Sequence, residues 1–141
     1  MTAQAASREL LHGQALVRAA NAMLRMLGGT EVSLRLPGIP AGNATAVQLG
    51  LSTIPVEDAP VSPVVILPLT PDSRSGALRY ELLMSASAVD ALAEARGLDS
   101  AATLFNSSLG IVHGGSLLHI SGLAVEVFGG IVTVYRVTAG E

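Results

Sequence analysis

The sequence predicts an α+β fold: a long N-terminal helix followed by a small antiparallel β-barrel or sandwich with a short helical insertion. Three observations predict it. Apolar residues recur at helical spacing through the first segment. Strict alternation follows in TEVSLRLP. The last third repeats runs rich in Val, Ile, Leu and Thr, punctuated by glycine pairs. At 141 residues, the chain has the length of a single domain, residues 1–141, with a real core.

A helix is expected over residues 7–27. Leu10, Val17, Leu24 and Leu27 form its apolar seam, widened by Leu11, Ala20 and Met23. Ser7 can cap its start, and Gly28-Gly29 can stop it. Arg8, Arg18 and Arg25 lie off that seam. Such a helix can pack across a sheet or project towards a neighbouring subunit.

The β-domain spans residues 30–141. Val32, Leu34 and Leu36 alternate with Glu31, Ser33 and Arg35, the pattern of a half-buried strand that Pro37 ends. GIPAGNA at 38–44 reads as a loop, and ATAVQLGLS at 44–52 as a second, weaker strand. Three prolines make residues 53–63 an extended loop. VVILPLT is a strand whose Pro68 indicates an edge or a bulge. PDSRSG turns the chain into ALRYELLMS, completing a hairpin.

A helical insertion is expected near 87–106. Its first helix, at 87–96, is capped by Ser85 or Ser87, buries Val89 and Leu92, and ends at Gly97. Asp99 can cap a further turn carrying Leu104 and Phe105. Beyond it, Gly114-Gly115, Ser121-Gly122 and Gly129-Gly130 mark the turns of a β-meander, six or seven strands in all. In the last strand Ile131, Thr133, Tyr135 and Val137 share one face. Val132, Val134 and Arg136 share the other, so a second layer should cover this strand.

Composition narrows the function. Half the residues are apolar and 13% are charged, which excludes intrinsic disorder. A surface so weakly charged suits partial cover by a partner. The net charge is −3, and all basic residues are arginines, scattered at 8, 18, 25, 35, 74, 79, 96 and 136. Aromatic residues are limited to Tyr80, Phe105, Phe128 and Tyr135. Neither a basic stripe nor a stacking platform for nucleic acid is visible. Without cysteine there are no disulfides, thiolate metal sites or thiol nucleophiles. The N-terminus lacks signal-peptide architecture. The uncharged stretches 36–56 and 100–125 contain too many Gly and polar residues to read as membrane helices. The sequons at Asn43 and Asn106 carry no weight without secretion.

Candidate chemistry is sparse. His113 and His119 flank a glycine turn that could bring them together; the nearest acid is Glu126, and His12 lies far away in sequence. Compact ligand spacing is missing. Glu57-Asp58, the adjacent acidic pair, falls in the proline-rich loop, where carboxylates are ordinarily solvated. Glu81 and Tyr80 fall on opposite faces of their strand. Ser107, Ser108 and Ser116 have no identifiable base. Arg136 could form an ion pair between subunits or reach solvent from a strand edge. No catalytic, cofactor-binding or metal residue is assigned, and no cofactor is expected.

Two resemblances bear on function. GIVHGG at 110–115 resembles the V-H-G-G signature of small hot-dog-fold acyl-CoA thioesterases. That resemblance implies a long helix opening at His113 and an acid nine positions on, where this chain has Gly122. The segment GSLLHISGLAVEVFGGIVTVYRVTA follows G-x-L-x-x-I-x-G-x-x-x-x-V, then a turn and a strand. It resembles the terminal hairpin of small tailed-phage virion proteins, the head–tail connector and head-completion (neck) adaptors. Ser116 stands in place of that pattern's usual acid, and Ala124 in place of an aromatic. This second resemblance implies a non-enzymatic phage or prophage virion protein acting at the neck or tail. It would self-associate as a homo-oligomer, a ring, and contact neighbouring virion proteins. It would be made in the bacterial host cytoplasm and located in the virion. The alternatives are the thioesterase and a small bacterial binding module.

Overall fold

A computed structural model describes residues 3–38 and 55–141, with the side chains of the first helix described from His12 onward. The expected strand at 44–52 and the sequon at Asn43 lie outside the described residues. The elements are α1 (Ala3–Met26), β1 (Thr30–Pro37), β2 (Val56–Pro68), β3 (Arg79–Ser85) and α2 (Ala86–Ala95). They continue as α3 (Ala101–Ser107), β4 (Gly110–His113), β5 (Ser116–Phe128) and β6 (Ile131–Gly140). The strands close into an antiparallel barrel in the order β1-β2-β3-β6-β5-β4. The chain is therefore mixed α+β, and of the two expected architectures the barrel is the one formed.

Alternation builds the barrel wall. Val32, Leu34 and Leu36 of β1 point inward with Leu82 and Met84 of β3, Ile111 of β4, Leu118 of β5 and Val137 of β6. The helices α2 and α3 add Val89, Ala93, Leu104 and Phe105 to the same core. Chain direction changes abruptly from β3 to α2 because Ser85 caps the helix, its Oγ accepting from the Ala88 N–H at 3.3 Å. The cap of α3 is Ser100, accepting from Thr103 at 3.2 Å, rather than the expected Asp99. The insertion is thus two short helices rather than one helix and a loose turn.

The N-terminal helix lies against the barrel, touching β2, β3 and β6, rather than projecting from it. Its described side chains run from residue 12 to 26, about four turns. Leu24 is buried, and Gly28 and Gly29 end the helix: the Gly29 N–H reaches back to the Leu24 carbonyl at 2.8 Å.

Two expected loops are strand. Residues 53–63 were expected to be an extended loop, yet β2 begins at Val56 and pairs with β1 through Val61. Ala59 and Val61 alternate inward, and burial outweighs the prolines. Pairing with β3 starts only at Val64, so around Pro60 one side of β2 has no strand partner among the described residues. Pro63 falls where the register with β1 shifts, so its missing N–H costs little. The expected turn at Ser121-Gly122 is a register shift inside the continuous strand β5. The two glycine pairs do turn the chain. Gly114 and Gly115 have φ of 58° and 80°, and Gly129 and Gly130 have 59° and 78°. Positive φ at both central residues is the hairpin geometry that matches strand twist.

Candidate functional site

The histidines do not converge. His113 ends β4 opposite Ser116, and its ring meets Tyr80 edge-on with centroids 6.0 Å apart. His119 lies further along β5 opposite Gly140 of β6. After Gly115 the chain continues as strand β5, so the helix that the thioesterase resemblance implies at His113 is not formed. Among the described residues, no three His, Asp or Glu side chains are grouped to hold a metal ion.

The acidic pair is divided by strand alternation. Asp58 receives both Arg35 nitrogens, Nε at 2.8 Å and Nη2 at 3.0 Å. That hydrogen bonding holds the Asp58 pKa below its ordinary value and raises that of Arg35. Glu57 instead meets Arg96 at 2.9 Å, and Arg96 also donates to the Pro37 carbonyl at 2.8 Å. Asp58 thus pins the β1–β2 ladder, and Glu57 ties β2 to Arg96 at the end of α2. Glu81 and Arg136 also prove structural. Arg136 Nε lies 2.7 Å from Glu81, and its Nη2 bonds Glu126, so one guanidinium ties β3, β6 and β5 together. The ion pair considered between subunits is satisfied within the chain.

Tyr135 is buried in the core, and its hydroxyl donates to Asp90 of α2 at 2.7 Å. Burial, and then that hydrogen bond, push its pKa well above the ordinary 10.0. Its ring also meets Phe105 edge-on at 6.1 Å. These contacts lock α2 and α3 onto β6.

The most distinctive surface is apolar. Between α1 and the β3–β6–β5 wall runs a groove of about 370 Å³. Leu16, Met23 and Leu27 line one side, and Leu83, Val134 and Phe128 line the other. Glu126 and Arg136 border it. Met23 is 62% exposed, Leu27 64% and Phe128 68%. The helix periodicity placed Met23 and Leu27 on the buried stripe. Among the described residues of that stripe only Leu24 is buried, because the contact with the barrel is narrower than the stripe. Sequence reasoning missed Phe128 as a surface residue. Its one available signal was its position directly before the Gly129-Gly130 turn, at a hairpin tip.

No family model matches the chain, and neither a curated protein nor a solved structure is significantly similar to it. Among the described residues no helix is long and apolar enough to cross a membrane.

Proposed function

We propose that this chain is a non-enzymatic structural protein that works by self-association, as a small virion protein of a phage or prophage. Its place would be the head–tail neck or the tail, in a ring of identical subunits against neighbouring virion proteins. It would be made in the host cytoplasm and end in the virion. The observation that carries the reading is the apolar groove rimmed by Met23, Leu27 and Phe128. Exposed Met23, Leu27 and Phe128 grouped around one groove are most simply explained by a partner that covers them. Several charged and polar side chains support the same reading, because they are spent on structure. Arg35, Arg96 and Arg136 hold strands and helices, and Tyr135 holds α2. The layout of the terminal hairpin, β5–turn–β6, supports the virion assignment through its resemblance to neck proteins.

The test is solution mass by light scattering from dilute to concentrated protein, followed by negative-stain imaging for rings. A discrete oligomer is expected, and Phe128→Ser with Met23→Ser should reduce it. A monomer throughout the range would overturn the reading and favour a binding module instead.

A further inference from the structure

A strand can bond to a neighbour on each of its two edges. β4 uses one edge of β5, but only through Ile111, Val112 and His113, opposite Leu118, Leu117 and Ser116. β6 uses the other edge along nearly the whole strand, from His119 to Phe128. Residues 122–128 therefore have β6 as their only strand partner among the described residues. Among the described residues their second edge is open. Leu123, Val125 and Val127 on this stretch are between 38% and 54% exposed.

The backbone orientation follows from one contact. Thr133 Oγ1 on β6 donates to the Glu126 carbonyl at 3.3 Å, so the Glu126 polar groups face β6. In a strand the N–H and C=O of one residue point the same way, and successive residues alternate. Leu123, Val125 and Val127 therefore turn their N–H and C=O groups towards the open edge. An unprotected edge of this kind is a template for another strand. The β5–β6 register shifts fall at Ile120/Gly122 and Glu126/Val127 and leave residues 122–126 in regular register, and residues 122–128 contain no proline and no lysine, two of the usual defences. Their one charge, Glu126, is bound to Arg136.

We propose that this edge joins two copies of the chain, β5 against β5, antiparallel, into one sheet that continues through both subunits. A two-fold axis at Ala124 sets the register. Leu123 then pairs with the partner's Val125, and Val125 with the partner's Leu123. These are the residues whose backbone groups face outward, so each pair exchanges hydrogen bonds. Ala124 meets the partner's Ala124 at the close, non-hydrogen-bonded position, where a small side chain fits. Glu126 faces the partner's Gly122, so no like charges oppose each other. The pairing is isologous and self-complementary. It rests on the self-association reading but not on the virion reading, and it uses the backbone edge of β5 rather than the α1 groove that Glu126 and Phe128 of the same strand line.

The chain has no cysteine, which makes a single introduced one a clean reporter. Ala124→Cys should form a disulfide-linked dimer under mild oxidation about tenfold faster than Ser75→Cys, in the exposed β2–β3 turn, at equal concentration. Val125→Lys, a charge placed on the open edge, should weaken association about tenfold by light scattering while leaving the thermal melt of dilute protein unchanged. Val125→Pro should act the same way, because its missing N–H is the one facing outward. Equal cross-linking rates for Ala124→Cys and Ser75→Cys, with unchanged mass for folded Val125→Lys, would overturn this inference. If wild type remained an oligomer in that case, the self-association reading would stand. A wild-type monomer at every concentration would overturn both.

Discussion

Val137 on β6 sits between Leu82 on β3 and Leu123 on β5, paired with both. One position further along the same face, Tyr135 sits between Met84 and Val125. Leu82 and Met84 are fully buried, whereas Leu123 and Val125 are exposed. Residue type does not distinguish the two sides, because both are apolar and alternate with the correct period. The neighbours do. Behind β3 the sheet continues into β2, and the inner face meets α2 and α3. Beside the second half of β5 the sheet stops among the described residues, because β4 is only four residues long. A strand pattern thus states which residues want cover, and only the length of the next strand decides whether they receive it inside the same chain.

The sharpest way to break this comparison is to truncate both sides. Leu82→Ala should destabilise the protein by about 2–5 kcal/mol in urea denaturation, the range for a fully buried leucine. Leu123→Ala should change the stability of dilute protein by no more than about 0.5 kcal/mol. A comparable loss at both positions would mean that Leu123 is covered within the monomer.

Tyr135 tests the same boundary with a polar group. Tyr135→Phe removes the hydrogen bond to Asp90 and should cost about 1 kcal/mol. The loss should depend on pH in one direction. Folding raises the tyrosine pKa, so its contribution is complete below the unfolded value near 10 and fades as pH rises beyond it. The stability gap between wild type and Tyr135→Phe should therefore be constant from pH 7 to about 9 and narrow above about 10. A flat gap up to pH 11 would show that the hydroxyl is not held as described.

Arg136 lies on the outer side of the same strand and is half-exposed, so a smaller effect is expected. Arg136→Ala should cost about 0.5–1 kcal/mol, the upper part of the range for exposed pairs, since it leaves Glu81 and Glu126 without their shared cation. Added salt should shrink that cost, because about 1 M salt reduces the screening length to about 3 Å. A loss that salt does not change would assign it to the packing of the arginine stem instead.

Much of this architecture was legible. The alternation in TEVSLRLP, the hairpin around PDSRSG, Ser85 as a cap and two of three glycine turns are local features set by backbone chemistry, and each is found where the pattern put it. The failures share a different cause. Residues 56–63 count as strand because β1 accepts them and their prolines fall at an open side and a register shift, which no local propensity reports. Ser121-Gly122 resembles a turn, but β6 pairs straight past it. Met23 and Leu27 satisfied helical periodicity, yet periodicity cannot state how wide the facing surface is. The charged groups were harder still. Arg136 meets Glu81 on a strand distant in sequence and Glu126 across a hairpin whose register shifts at Glu126/Val127, so those ion pairs follow only once the register is known.

Arg35 and Asp58 give the finest test of the ladder, since they are direct cross-strand partners in the part of β2 expected to be loop. Both side chains are exposed, and such pairs contribute little at neutral pH. Asp58→Asn should therefore lower the melting temperature at pH 7 only slightly, less than any substitution above. The sign of its pH dependence is still defined. The hydrogen bonds from Arg35 depress the Asp58 pKa in the folded state, so the contribution is present above the unfolded carboxylate value and lost as pH falls through the folded one. Melting curves of wild type and Asp58→Asn should differ at pH 7 and converge below about pH 4. Curves that coincide at every pH would mean that the two side chains do not meet in solution, and that backbone pairing and the burial of Ala59 and Val61 hold this stretch of β2 by themselves.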